Sequence, residues 1–161
     1  MKFFAIFALL LALSCHAATI EGRVVAIADG DTITVLDADR VQHRIRLGGI
    51  DAPEKRQAFG TRSKQSLSDS VFDRLVTVET GKTDRYGREI GKILVDGMDA
   101  NLQQVQRGFA WHYKIYEREQ SLSDRQLYDL AQSEAKAARR GLWHDAEPVA
   151  PWDWRKGRRS D

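Results

Sequence analysis

The sequence predicts an α+β domain: a five-stranded, partly open β-barrel of the OB type, carrying about three α-helices. Three observations lead there. Short strand-like runs separated by turn residues fill the first half. A helix-period stretch interrupts them after the third strand, and further helical patterns follow the fifth.

Residues 20–28 and 32–36 read as the first two strands, flanking Asp29-Gly30. Asp and Gly tolerate positive φ, so this dipeptide suits a tight hairpin turn. Residues 37–40 form the next turn and residues 41–50 the third strand, giving an antiparallel meander. Residues 57–75 switch period, with Phe59, Ser63, Leu67, Val71 and Leu75 on one helical face and Phe72 beside it. Residues 76–80 and 89–95 return to strand. A short helix over residues 101–107 stops at Gly108, suited to a left-handed cap. A longer one starts at Ser123, with Gln126 completing a capping box. It places Leu127, Leu130, Ala131, Ala135 and Ala138 on the inner face and ends at Gly141, after which Leu142-Trp143 plugs the core.

A chain of 161 residues is long enough for one domain with a full core. Hydrophobic residues at 42% exclude a disordered chain. Residues 1–18 read differently: Lys2, an apolar run over residues 3–13 and small residues up to Ala17-Ala18 have the layout of a secretory signal peptide. The run is too short to span a bilayer. This organisation places a leader at 1–18, a domain at 19–154 and a basic C-terminal tail at 155–161, and it implies a secreted or periplasmic protein. The one cysteine, Cys15, falls in the leader, so the mature protein has no disulfide. Lipidation of Cys15 is the alternative, and Ala12-Leu13 before it fits poorly. A formal charge of +2 is too even to imply a polyanionic partner. The basic clusters at Arg139-Arg140 and residues 155–159 read as solvated surface.

Two turns hold the residues suited to chemistry. Asp31 and Asp51 are candidate metal ligands; carboxylates with carbonyl and water oxygens suit Ca²⁺, Mg²⁺ or Mn²⁺ rather than zinc. Taken singly, each is as well explained as a hairpin turn or a strand end. Glu54, held after Pro53, is a candidate general base, or a surface acid at a helix entry. Arg46 shares a strand face with Arg44 and could offer a fork to phosphate, whereas an ion pair across the sheet suits Arg44 better. Arg88 is projected from the turn at residues 84–88, where Gly87 permits a sharp bend. The aromatic run at residues 111–116 reads as packing more readily than as a base-stacking platform. His43, His112 and His144 lack metal-ligand spacing and read as structural or exposed.

Taken in order, Asp29-Gly30-Asp31-Thr32, residues 46–54, Gln57-Ala58-Phe59-Gly60, Asp84-Arg85-Tyr86-Gly87-Arg88, Asn101, Gly108-Phe109-Ala110-Trp111 and Gly141-Leu142-Trp143 resemble the staphylococcal nuclease family over residues 20–154. The resemblance implies an OB-fold and Ca²⁺-dependent hydrolysis of phosphodiester bonds in DNA and RNA, with little sequence preference and 3′-phosphate ends. It implies Asp31, Asp51 and the Ala52 main-chain oxygen as metal ligands, Glu54 as the base, and Arg46 and Arg88 on the phosphate. Tyr86, Tyr113 and Tyr116 are the implied substrate contacts. Two departures stand out: Ala52 replaces the threonine of the family's best-known member, and the segment from Glu54 to the helix is short. A barrel that binds nucleic acid or protein without cutting is the rival reading, and a phosphatase of small esters a third. Nothing in the sequence argues for an oligomer, so a monomer is expected.

Overall fold

The structure, a computed structural model, describes residues 18–157. The leader, Cys15 and the last four residues of the basic tail lie outside the described residues, apart from Ala18, which opens the first strand. Strands β1 (Ala18–Ile27), β2 (Thr32–Asp37) and β3 (Gln42–Leu47) form the antiparallel meander. After β4 (Ile50–Asp51) and helix α1 (Gly60–Val71), β5 (Leu75–Thr83) pairs with β1 and with β6 (Glu89–Val95). Parallel pairing of β3 with β6 closes the five-stranded barrel. Next come β7 (Met98–Asp99), α2 (Ala100–Gln106), β8 (Trp111–His112), α3 (Leu122–Ala137) and α4 (Pro151–Gly157).

Alternation along the strands sends Ile33, Val35, Ile45, Leu47, Val78 and Ile93 into the barrel, where all six are fully buried with Leu67 and Val71 of α1. Each such side chain contributes about 1.5–3 kcal/mol relative to exposure. A second cluster of Ala135, Leu142 and Trp143 has Phe59 and Trp111 packed on it, so Leu142-Trp143 closes the core as its sequence suggested.

The third strand is not continuous to residue 50. Gly49 takes φ +72°, which an L-residue in a strand cannot adopt, and the chain turns out of the barrel so that Ile50 and Asp51 pair with His112 and Trp111. Asn101, fully buried, fixes this break: Nδ2 donates to the Gly48 and Gly91 carbonyls at 3.0 Å each, and Oδ1 accepts from the Ile93 amide at 3.1 Å.

Three further local expectations are corrected. Gly30 is not among the positive-φ glycines; it serves close approach, since a Cβ there would lie 1.9 Å from Ser63 Oγ. Helix α1 starts at Gly60 and ends at Val71, because Phe59 takes a left-handed φ of +66°, Phe72 is extended, and Phe72 and Leu75 face solvent. Helix α3 is capped by Ser121, which accepts from the Asp124 amide at 3.0 Å, rather than by Ser123. Its buried residues are Tyr128, Ala131 and Ala135, while Leu127 and Leu130 stay exposed, because the Tyr128 hydroxyl is drawn inward to Asp99 Oδ2 at 2.8 Å.

His43 fastens the barrel near the β3–β6 closure. Nε2 lies 2.8 Å from Asp37 Oδ2 and Nδ1 2.9 Å from Glu89 Oε1, so both ring nitrogens donate when the imidazole is protonated. Hydrogen bonding to Asp37, then to Glu89, raises the His43 pKa against the opposing effect of burial. A raised folded pKa stabilises the fold fully below the ordinary value of 6.5, and that contribution is lost as pH rises through the higher folded value. Thermal melting of wild type and His43→Gln should therefore differ most below the ordinary value of 6.5 and converge as pH rises above it. A difference that is constant across that range would show that the clasp does not titrate.

Candidate active site

Asp31 leaves the barrel at the start of β2 and is nearly all buried. Its amide is received by Asp29 Oδ1 at 3.1 Å, and its carbonyl accepts the Leu47 amide at 2.8 Å. Its Oδ2 accepts the Ala52 amide at 2.7 Å, so one aspartate joins the two acidic turns. Asp51, on β4, is 1% exposed. Between them lies Arg46: Nη2 donates to Asp51 Oδ1 at 3.0 Å, Nη1 lies 3.4 Å from Asp31 Oδ2, and Nη1 also donates to the carbonyls of Leu47 and Ile50 at 2.7 and 2.9 Å. The guanidinium thus fastens the turn as well as the carboxylates. Burial pushes Asp31 up to about 7, against Arg46 and the Ala52 amide and with the added repulsion of Asp29 and Asp51.

Arg88 reaches the same cleft from the β5–β6 hairpin, where Gly87 has the positive φ that the turn requires. Asp84 organises it, accepting from the Tyr86 and Arg88 amides at 2.8 and 3.0 Å and from Arg88 Nε at 2.8 Å. Arg88 Nη1 extends to Thr32 Oγ1 at 3.4 Å, beside Asp31. Amide and guanidinium donors hold Asp84 below its ordinary pKa despite burial. Tyr86 lies exposed beneath Arg88 and Arg85, whose guanidinium carbons are 5.5 and 4.9 Å from its ring centre. On the far side, Tyr113 and Tyr116 meet edge to face at 5.5 Å, and Trp152 of α4 stacks on Tyr113 at 5.4 Å.

All of the residues singled out in the sequence, Asp31, Arg46, Asp51, Ala52, Glu54, Tyr86, Arg88, Tyr113 and Tyr116, line one cleft of about 770 Å³. Arg44 lines it too. His112 does not: its ring is fully buried between Asp129 and Gln120, a structural role.

The donors fit a hard divalent cation, since Asp31 and Asp51 are two buried oxygen donors that share one guanidinium. Among the described residues no three His, Cys, Asp or Glu side chains gather in metal-holding geometry. A main-chain oxygen and water would have to complete the shell.

Two residues in this arrangement escaped sequence reasoning. Arg155, assigned to a solvated tail, projects from α4 onto Asp51 and Glu54. The available signal was Pro151-Trp152-Asp153-Trp154, a helix start with two aromatic anchors that need a surface to cover. Gln57, which the sequence shows only as part of a motif, accepts the Glu54 amide on Oε1 at 3.0 Å and donates from Nε2 to the Val149 carbonyl at 2.7 Å.

Comparison with known proteins agrees with this geometry. A family model described as staphylococcal nuclease homologue matches residues 44–145. An uncharacterized endonuclease of Escherichia coli O157:H7 is 45% identical over 139 residues, covering 86% of this chain and 86% of that protein. Protein ParB of Escherichia coli is 43% identical, covering 94% of this chain and 88% of its own. A micrococcal nuclease of Shigella flexneri is 40% identical over 148 residues, covering 86% and 82%.

Proposed function

We propose, for a chain that belongs to the staphylococcal nuclease family, that it is a Ca²⁺-dependent endonuclease hydrolysing DNA and RNA with little sequence preference and leaving 3′-phosphate ends. The family and the nuclease names of the relatives support a nuclease. The observation that supports the finer reading is the convergence of Asp31, Asp51, Glu54, Arg46 and Arg88 on a single cleft of about 770 Å³.

The chemistry assigned to these residues is in-line displacement at phosphorus. Glu54 accepts a proton from the attacking water as the water oxygen bonds to phosphorus; the bond from phosphorus to the 5′-oxygen breaks, and that oxygen leaves as a hydroxyl on taking a proton from solvent. Arg88, held by Asp84, and Arg46 offer N–H donors where charge grows on the phosphoryl oxygens. Tyr86, Tyr113 and Tyr116 line the same cleft and would orient the adjoining nucleotides. Asp31, Asp51 and the Ala52 carbonyl would hold the cation, which supplies Lewis-acid charge neutralisation when bound. The signal-peptide-like layout of residues 1–18 supports action outside the cytoplasm, and among the described residues no helix is long and apolar enough to cross a membrane.

The test is degradation of single-stranded DNA and of RNA by the purified full chain, with Ca²⁺ or with excess chelator, followed by end-group analysis. The expected result is cutting of both polymers in Ca²⁺ only, with 3′-phosphate termini. Binding without cutting under every divalent cation tried would favour a non-catalytic nucleic-acid-binding barrel.

A further inference from the structure

Helix α4 brings one more cation into the cleft. Arg155 Nη1 donates to Glu54 Oε1 at 2.8 Å, and its two terminal nitrogens reach Asp51 Oδ1 at 3.3 Å and Oδ2 at 2.8 Å. One planar fork spans the proposed base and a proposed metal ligand. Glu54 itself sits between β4 and α1 on irregular backbone, with its side chain 39% exposed. Among the described residues, Arg155 is the hydrogen-bond partner its carboxylate has. The backbone of the same segment is tied to the same region, through Gln57 and the Val149 carbonyl. Both ties end on residues 149–155. That segment is anchored in turn by buried Pro151 and by Trp152, which packs on Tyr113 and, 5.5 Å away, on Trp111.

We propose that Arg155 is a positioning residue for Glu54, so that the C-terminal helix is a working part of the site rather than a tail; this rests on the nuclease reading above. A half-exposed glutamate on irregular backbone has several rotamers available, and a base must lie within hydrogen-bond reach of the proton it takes. The guanidinium selects the rotamer that turns the carboxylate into the cleft beside Asp51. Arg155 also draws on the Asp51 carboxylate that the cation would use, so the two positive charges weaken each other's hold. Loss of Arg155 should therefore move two readouts in opposite directions: turnover falls while cation affinity rises. General damage to the fold would lower both.

The experiment compares wild type, Arg155→Met and Arg155→Lys in the full chain, measuring kcat and KM on single-stranded DNA in Ca²⁺ and Ca²⁺ affinity by calorimetry on the metal-free protein. Arg155→Met should lose about 10²-fold in kcat, the scale expected for a misplaced catalytic group, with KM little changed. Its Ca²⁺ affinity should tighten. Arg155→Lys should recover part of kcat, because an ammonium can hold one carboxylate but not fork across two. In a Glu54→Gln background, Arg155→Met should cost almost nothing further, since the two act as a unit. If Arg155→Met does not fold, Arg155→Lys and its place between wild type and inactivity decide the matter. Unchanged kcat, a rise in KM alone, full additivity with Glu54→Gln, or weaker Ca²⁺ binding would each overturn the proposal. A wild-type protein that fails to cut ends the nuclease reading and this role together; an active wild type with indifferent Arg155 variants ends this role only.

Discussion

Glu54→Gln is expected to lower kcat on single-stranded DNA by about 10²–10⁴-fold, the span that a positioned general base contributes. The substitution keeps the shape and the oxygen that accepts from Arg155 Nη1, and it removes the ability to take a proton from water. KM should change little, because the substitution leaves the arginines and tyrosines that line the rest of the cleft, the proposed substrate contacts, in place. Stability should also change little, since the side chain is 39% exposed and its pair with Arg155 is accessible to water. The measurement is steady-state hydrolysis in Ca²⁺ beside a thermal melt. Turnover near wild type would remove Glu54 from the reaction and return it to the part of a helix-entry acid.

Much of this arrangement was legible in the chain, for identifiable reasons. Asp31, Asp51 and Arg46 lie within 21 residues of one another on two turns joined by strands, and strand alternation fixes which side each faces. Gly87 could be read as a turn residue, and it places Arg88. What was missed depends on contacts distant in sequence. Arg155 lies 101 residues from Glu54 in the chain, and no local pattern says where a short terminal helix will dock. The break at Gly48-Gly49 leaves one local trace, Ile50 falling out of phase with Ile45 and Leu47, and a buried side-chain amide, Asn101, decides it from 53 residues away. Helix α3 was read one step off around its axis because its leucines outweigh its alanines in apolar content. A tyrosine with a buried carboxylate to reach won the inner position instead.

Arg46→Met should cost more in stability than any other single change in the site, about 3–5 kcal/mol, the penalty for breaking a buried ion pair from one side. Arg46 is 15% exposed at its side chain, Asp31 9% and Asp51 2%. Methionine fills a similar volume, yet it leaves the Leu47 and Ile50 carbonyls without this donor and leaves Asp31, already raised by burial and by its acidic neighbours, without its nearest positive charge. Asp51 keeps Arg155, so the loss falls mainly on the Asp31 side and on the turn that carries Asp51. Arg46→Lys should fall between, since one ammonium cannot serve two carboxylates and two carbonyls together. Urea denaturation in chelator would read these costs, and repetition in Ca²⁺ should recover part of them if a cation takes up the charge that Arg46 had balanced. Equal midpoints for wild type and Arg46→Met in chelator would mean that the acidic cluster is held by its amide donors and Arg155 alone. Arg46 would then be free to act on phosphate without also holding the site together.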